Sequence, residues 1–360
     1  MENVAYSIVA AIIGLGILIV FHEFGHFLLA KLSGVGVLTF SVGFGPKLWV
    51  KKRGETEYAL SAFPLGGYVK MVGENPDEEV PAVDIQKSFA HKSLTKRVAI
   101  VVAGPGFNLL LAVFLFVLVF TFYGVPVLST LVSNVSPGSP AEKAGILKGD
   151  RIVAIEGRGV SEWGELSEAI KSSGGKPLTV ELQRGTEKLS LTVQPNRVEG
   201  KNVFGERRDE WLIGISSQVT IEKGTPGRSI ARAFYQTYDI SKLTLQAFYK
   251  MLLGDVSPRN IGGPIMIAQM AGQQAQEGLG SFLAFLAVLS INLGVLNLLP
   301  VPVLDGGHLM FFMVEAVIRR PVSIKYREMA QQVGICLLAL LMVYAFYNDI
   351  VRFFEKQVGG

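Results

Sequence analysis

The stretch His22-Glu23-Phe24-Gly25-His26 lies inside a long apolar run near the start of the chain. Between residues 4 and 30 the only charged side chain is that of Glu23. As a helix, this run would be about 40 Å long at ~1.5 Å per residue, which is enough to cross a bilayer. Ionisable side chains inside a membrane helix are costly, so their presence here indicates a functional site.

The spacing of the two histidines indicates a metal site. Residues four apart on a helix are separated by about 40° around the axis and ~6 Å along it, so His22 and His26 can direct one nitrogen each at a single ion. Glu23 can reach a water on that ion without binding the ion itself. This H-E-x-x-H arrangement is typical of zinc peptidases in which the glutamate is the general base. The alternative is a structural pair of histidines hydrogen-bonded to neighbouring helices.

The composition indicates a membrane protein. Hydrophobic residues make up 49% of the 360 residues and charged residues 18%. The net charge of +4 is small, and the basic residues cluster beside apolar runs, which argues against nucleic acid as a partner. Cys336 is the only cysteine, so an internal disulfide is excluded. The first apolar run has no cationic segment before it, and we interpret it as a retained span and not a signal peptide.

Three further apolar runs predict three more spans. Residues 98–122 carry no charge and contain Asn108, which either packs between helices or lines the metal site. Residues 279–304 are also uncharged and end in a segment with two prolines, which indicates a broken helix held against protein or a cavity. The last run, residues 333–347, is short for a full crossing, so the span is either tilted or extended by the aromatic residues that flank it.

The segments between the spans differ in character. Residues 33–97 contain β-forming stretches separated by glycines and predict β-hairpins. Residues 124–223 are polar and globular in composition, and the run from Ser139 to Ile152 resembles a PDZ domain, a domain that accepts an extended peptide as an added strand. Residues 229–253 have apolar side chains at helical spacing, which fits a helix at the membrane surface or one packed on the PDZ domain.

Lysine and arginine in short loops predict the orientation. They are frequent between spans one and two, and again after span three at Arg319, Arg320, Lys325 and Arg327. Both segments should therefore be cytoplasmic, with the PDZ domain and both termini outside. This places His22, His26 and Asp305 near the same, cytoplasmic, side.

Four motifs together make the chain similar to the site-2 protease family of intramembrane zinc proteases. They are H-E-F-G-H at residues 22–26, G-F-G-P at residues 43–46, the PDZ-like run, and N-x-x-P-x-P-x-x-D-G at residues 297–306. The resemblance covers nearly the whole length. It departs from some members that carry two PDZ domains in tandem, since only one such unit is recognisable here.

The resemblance implies roles for individual residues. His22 and His26 would be zinc ligands, Glu23 the catalytic base and Asp305 the third ligand. Apart from the resemblance, His308, which lies close to Asp305 in the sequence, and Glu315 are alternatives for that last position. The residues that would bind substrate or shape the site are Asn292, Asn297, Pro300 and Pro302. The partners implied are the lipid bilayer and single-span membrane proteins, such as an anti-sigma factor that has already been trimmed.

We therefore expect a multi-span α-helical membrane protein with a membrane-associated β-hairpin segment and an inserted α+β PDZ domain, located in a bacterial inner membrane. The expected divisions are span one at 1–32, a cytoplasmic-side re-entrant β segment at 33–97, span two at 98–123, the PDZ domain at 124–223, an amphipathic helix and connection at 224–278, span three at 279–305, and a cytoplasmic loop with span four at 306–360. The expected function is zinc-dependent cleavage within the bilayer. A membrane zinc transporter and a membrane-anchored PDZ adaptor are the alternatives.

Overall fold

The computed structural model describes residues 2–74, 81–201, 207–257, 262–320 and 322–358. The chain forms two compact units. Unit 1 comprises Met1–Val119, Pro226–Met251 and Ser257–Gly360, and unit 2 comprises Phe120–Thr225 and Leu252–Val256.

Unit 1 is built mainly from long helices. They are α1 (Glu2–Leu32), α2 (Leu94–Phe122), α5 (Pro226–Leu253), α6 (Pro264–Glu277), α7 (Leu279–Asn297), α8 (Asp305–Ile318) and α9 (Ile324–Val358). Among the described residues, four segments are long and apolar enough to cross a membrane: Val4–Leu32, Leu94–Phe122, Leu279–Asn297 and Ile324–Arg352. The expected fold class, a multi-span helical protein with a β segment and an inserted α+β unit, is confirmed.

Small residues let the helices of unit 1 approach one another closely. Gly25 of α1 faces the backbone of α2 so tightly that a Cβ there would lie 2.8 Å from the carbonyl carbon of Ala103. Gly294 of α7 meets α2 in the same way, because its Cβ would lie 3.0 Å from the carbonyl oxygen of Pro105. Close backbone packing at glycine is typical of membrane helices. As a result, α2 lies directly against both α1 and α7.

The β segment of unit 1 consists of β1 (Val37–Arg53) and β2 (Thr56–Met71), followed by a 3₁₀ helix (Ala82–Lys87). The first part of β1, residues 39–42, pairs with two parts of β2, namely residues 57–60 and residues 67–70. Residues 67–71 therefore form an edge of this small sheet, with no further strand paired to them among the described residues. The buried side chains of Val37, Val69 and Ile100 hold the sheet against the α1–α2 pair.

Unit 2 is an antiparallel sheet with two short helices. Its strands and helices are β3 (Val125–Val135), α3 (Pro140–Lys143), β4 (Arg151–Ile155), β5 (Arg158–Gly159), α4 (Trp163–Ser172), β6 (Leu178–Arg184), β7 (Glu187–Val193), β8 (Asn196–Lys201), β9 (Arg207–Leu212) and β10 (Ile215–Glu222). The strand order is β10-β3-β4-β6-β7, while β8 and β9 form a separate hairpin. Leu166 and Ile170 of α4 are buried in the core.

The structure adds detail to one expectation about unit 1 and corrects two others. The last apolar run, residues 333–347, lies within the longer helix α9, and Ile324–Arg352 is long and apolar enough to cross a membrane. The stretch before residue 278, expected as a connection, contains α6, which has Pro264 in its first turn and a side-chain cap from Asp349. The expected loop after Asp305 begins with α8, so Asp305 starts a helix and does not end span three.

Candidate metal centre and active site

Three side chains from two distant parts of the chain converge in unit 1. His22 Nε2 lies 3.1 Å from Asp305 Oδ2, and His26 Nε2 lies 3.5 Å from Asp305 Oδ1. The two histidine Nε2 atoms are 3.2 Å apart. Within the described part of the chain, His22, His26 and Asp305 form a cluster of potential metal ligands that could bind one ion together. Each side chain is only 11–17% exposed.

The second nitrogen of each histidine is directed at α2. His26 Nδ1 lies 2.8 Å from the carbonyl oxygen of Ile100, so it must carry a proton and donate it. In the neutral ring, Nε2 then carries the lone pair, and this nitrogen faces His22 Nε2 and the Asp305 carboxylate. His22 Nδ1 lies 3.2 Å from the side-chain amide of Asn108. For His26, a protonated Nδ1 held by a backbone carbonyl is the usual arrangement of a metal-binding histidine.

The residues present fit zinc. Catalytic zinc has three protein ligands at about 2.0–2.2 Å in a tetrahedral arrangement, and such ligands are about 3.4 Å from one another. One ligand atom from each of the three residues lies within 4.8 Å of the others, which is close enough for all three to bind a single ion. Asp305 Oδ2 is buried and lies 3.1 Å from His22 Nε2 without a well-formed hydrogen bond, which is costly for a carboxylate unless a cation lies beside it. Two imidazole nitrogens and one carboxylate form a known catalytic zinc ligand set.

Asp305 reaches the histidines because of the glycines that follow it. A Cβ at Gly306 would lie 2.5 Å from the carbonyl carbon of Leu298, and a Cβ at Gly307 would lie 2.5 Å from Pro302 Cα. The first turn of α8 thus packs directly on the connection that leaves α7. The Gly307 N–H donates to the Leu304 carbonyl at 2.9 Å, which closes the turn around Asp305.

A further glycine supports the site from the other side. Gly104 of α2 lies against both imidazole rings, since a Cβ there would be 2.5 Å from His26 Cε1 and 2.9 Å from His22 Cε1. Gly106, two residues later, has open space around the same position. The backbone of α2 at Gly104 therefore forms a wall behind the histidines.

Glu23 and the metal group open into one cleft of about 1090 Å³. The cleft is also lined by Asn297 of α7 and by residues 68–71 at the edge of the β1–β2 sheet. Gly67 in the same strand lies against Glu23, because a Cβ there would be 3.1 Å from Glu23 Cγ. An edge of the β1–β2 sheet therefore runs along the cleft beside the carboxylate and the metal group.

The remaining predicted residues fall in different places. Asn297 and His308 line the cleft, but the metal group contains Asp305 and not His308. The Asn292 amide oxygen accepts a hydrogen bond of 2.7 Å from Thr244 of α5. Pro300 and Pro302 lie in the connection between α7 and α8.

Glu315, the other rival for the third ligand, is engaged elsewhere. Arg97 donates two hydrogen bonds to its carboxylate, at 3.0 and 2.5 Å, and Arg327 lies 3.7 Å away. The bidentate bond to Arg97 lowers the pKa of Glu315, so it remains an anion paired with cations. Sequence reasoning missed this pair, because the two residues are more than two hundred positions apart and neither belongs to a local motif.

Sequence reasoning also missed the role of Gly104. The signal for it was present in Gly104-Pro105-Gly106, since two glycines and a proline inside an uncharged span indicate close backbone packing.

Comparisons with known proteins identify the family of the chain. Residues 10–341 match peptidase family M50. A Rhizobium meliloti protein, provisionally named a zinc metalloprotease, is 38% identical over 97% of this chain and 98% of its own length. The regulator of sigma-E protease RseP of Salmonella typhimurium is 31% identical over 98% of this chain and all of its own length. That alignment runs over 456 positions, so the Salmonella protein contains residues with no counterpart here.

One solved structure also matches part of the chain. The HtrA3 PDZ domain bound to a phage-derived ligand is 36% identical over 18% of this chain and 60% of its own, with a TM-score of 0.17. These matches extend over nearly the whole chain and name a protease, so they favour the protease over the two alternatives, a membrane zinc transporter and a membrane-anchored PDZ adaptor. The chain belongs to peptidase family M50, the site-2 protease family, and is a membrane metalloprotease.

Proposed function

We propose that this protein is a zinc endopeptidase that cuts single-span membrane proteins within the bilayer. The observation that supports this most directly is the convergence of His22, His26 and Asp305 at spacings suited to one zinc ion, beside Glu23 and in the same cleft. Bound there, zinc would supply Lewis-acid activation of a water molecule and of the peptide carbonyl. His22, His26 and Asp305 would hold the ion.

Glu23 would act as the general base and then as the general acid. Its carboxylate takes a proton from the attacking water and returns it to the leaving amide nitrogen, so the net proton balance is zero. Its place in the cleft next to Gly67 brings it beside the sheet edge at residues 68–71.

The substrate would bind in extended form. Carbonyls within a helix are hydrogen-bonded and shielded, so a membrane helix must unwind locally before attack. The described residues place no further strand beside the edge at residues 67–71, so an extended substrate could add there as a strand and replace the hydrogen bonds lost on unwinding. Asn297 in the cleft would bind the substrate backbone, whereas Asn292, already bonded to Thr244, would contribute by holding α7 in place. Pro300 and Pro302 would shape the connection that carries Asp305 into the site.

The test is the variant Glu23→Gln, which keeps the shape of the side chain and removes its basicity. Purified wild type and variant should bind equal amounts of zinc, while only wild type releases fragments from a co-expressed single-span protein with a short outer segment. Asp305→Ala serves as the matched comparison and should lose zinc as well as cleavage. Cleavage by Glu23→Gln at the wild-type rate would refute the role of Glu23.

The PDZ-type unit 2 would restrict substrate access from outside the membrane, with the cleft towards the cytoplasm. An outward domain can exclude a substrate that has a bulky outer domain and admit one already trimmed, such as an anti-sigma factor. The name of the Salmonella relative, a regulator of sigma-E, is consistent with that substrate class. When residues 124–223 are replaced by a short linker, untrimmed substrates should be cut more readily. Reduced cleavage of trimmed substrates would instead indicate peptide capture by this unit.

A further inference from the structure

Asn108 occupies a position that neither substrate binding nor the ligand set explains. It lies on α2 and is fully buried. Its backbone carbonyl accepts a hydrogen bond of 2.7 Å from Ser290 Oγ, and its Cβ lies 3.3 Å from where a Cβ at Gly294 would be. The helix α7 therefore fixes the backbone of Asn108, and its side-chain amide is directed at His22 Nδ1, 3.2 Å away.

The chemistry of His22 requires an acceptor at that point. A neutral imidazole has one protonated nitrogen, and the nitrogen that binds a metal must offer its lone pair. His22 Nε2 is the nitrogen that faces Asp305 and His26, so the proton belongs on Nδ1. The Nδ1–H group then needs an acceptor, which for His26 is the Ile100 carbonyl on the same helix.

The Asn108 side chain can supply that acceptor. With Nδ2 towards the ring, Asn108 Oδ1 is buried with no hydrogen-bond partner. The oxygen and nitrogen of a carboxamide exchange places when the group rotates by half a turn, without a change in shape. After that rotation Oδ1 accepts the Nδ1 proton, whereas Nδ2 in this position would force the proton onto Nε2, the nitrogen needed for the metal.

We infer that Asn108 is a positioning residue, which accepts the Nδ1 proton of His22 through Oδ1 and so presents the His22 Nε2 lone pair to the zinc ion. This inference rests on the proposed zinc site and extends it. The helix α2 then sets the tautomer of both ligands, by a backbone carbonyl for His26 and by a side-chain amide for His22. Outer partners of metal-binding histidines typically change metal affinity by about 10- to 100-fold.

The experiment compares Asn108→Leu with Asn108→Asp in the purified full-length protein. Zinc content is measured during competition with chelators of graded strength, and the visible absorption of the Co²⁺-substituted protein reports the ligand geometry. Asn108→Leu should bind zinc about 10- to 100-fold more weakly and show altered Co²⁺ bands. Asn108→Asp, which has only oxygen atoms at this position, should bind zinc as tightly as wild type or more tightly.

One further variant serves as the control. Ser290→Ala removes the hydrogen bond to the Asn108 backbone and leaves the amide, so wild-type zinc affinity is expected. Wild-type affinity and unchanged Co²⁺ bands in Asn108→Leu would overturn the inference, as would equal zinc loss in Ser290→Ala. If Asn108→Leu does not fold, Asn108→Asp decides, because weakened zinc binding there would mean that the amide acts as a donor. Absence of zinc from wild type would overturn the proposed function and this inference together.

Discussion

Replacement of Gly104 by alanine should disable the metal centre with little effect on the rest of the fold. The added Cβ would lie 2.5 Å from His26 Cε1, and nearer still to His26 Nε2, while ordinary contacts begin at 3.4 Å. The rings or the two helices must therefore separate by about 1 Å. A displacement of that size is half of a Zn–N bond length of about 2 Å, and misplacement by about 1 Å can cost ~10²-fold in rate.

The matched control is Gly106→Ala, because it makes the same chemical change in the same helix with nothing within 4 Å of the added carbon. Both substitutions raise helix propensity by about 1 kcal/mol, so propensity does not distinguish them. Zinc content, cleavage of a single-span substrate and thermal unfolding would be measured for both. We expect Gly104→Ala to lose zinc and at least ~10²-fold in cleavage, and Gly106→Ala to keep both. Normal zinc binding and cleavage by Gly104→Ala would refute the packing argument.

Three other predictions concern stability. Arg184 holds the pKa of buried Asp150 below its ordinary value, so the stability from this pair is present above about pH 4 and is lost as pH falls through the lowered pKa. Hydrogen exchange in unit 2 should show this acid sensitivity in wild type and not in Asp150→Asn. At neutral pH the variant should be less stable than wild type by about 1 kcal/mol. Glu315→Gln leaves the cation of Arg97 without its anionic partner, so the free energy of unfolding should fall by about 3 kcal/mol while zinc binding is unchanged. Loss of zinc from this variant would instead indicate that Glu315 is a metal ligand. Asp349→Ala removes the acceptor of three N–H groups at the start of α6 and should cost about 1 kcal/mol, seen as faster exchange of those amides; unchanged exchange would contradict the cap.

The local part of the site was predictable from the sequence, and the distant part was not. His22 and His26 share a helical face because of their spacing, so helix geometry alone relates them. Asp305 entered through the resemblance to a family, and only the structure brings its carboxylate to the histidines. For Asn108 the sequence left two interpretations, and its contact with His22 supports a place beside the metal site.

The errors in the fold have a common physical cause. The sequence predicted a loop after Asp305, yet Gly306 and Gly307 permit the close approach that starts α8 against the connection from α7. α6 lacks a strong apolar pattern, and its first turn is capped by Asp349 from α9. In each case a tertiary contact overrides local propensity, and such contacts are not visible in a short window of sequence.

The wide separation of the ligands along the chain has a consequence for biosynthesis. Under the proposed assignment, His22 and His26 leave the ribosome early, whereas Asp305 follows only after most of the protein has been made. At about 5–20 residues per second, this interval is roughly 15 to 60 seconds. During that time the nascent chain has an incomplete ligand set, so a half-made or truncated copy in the membrane has no means of cutting its neighbours. Synthesis of the chain through Asp305 is therefore required before the metal-ligand set is complete and the protease can become active.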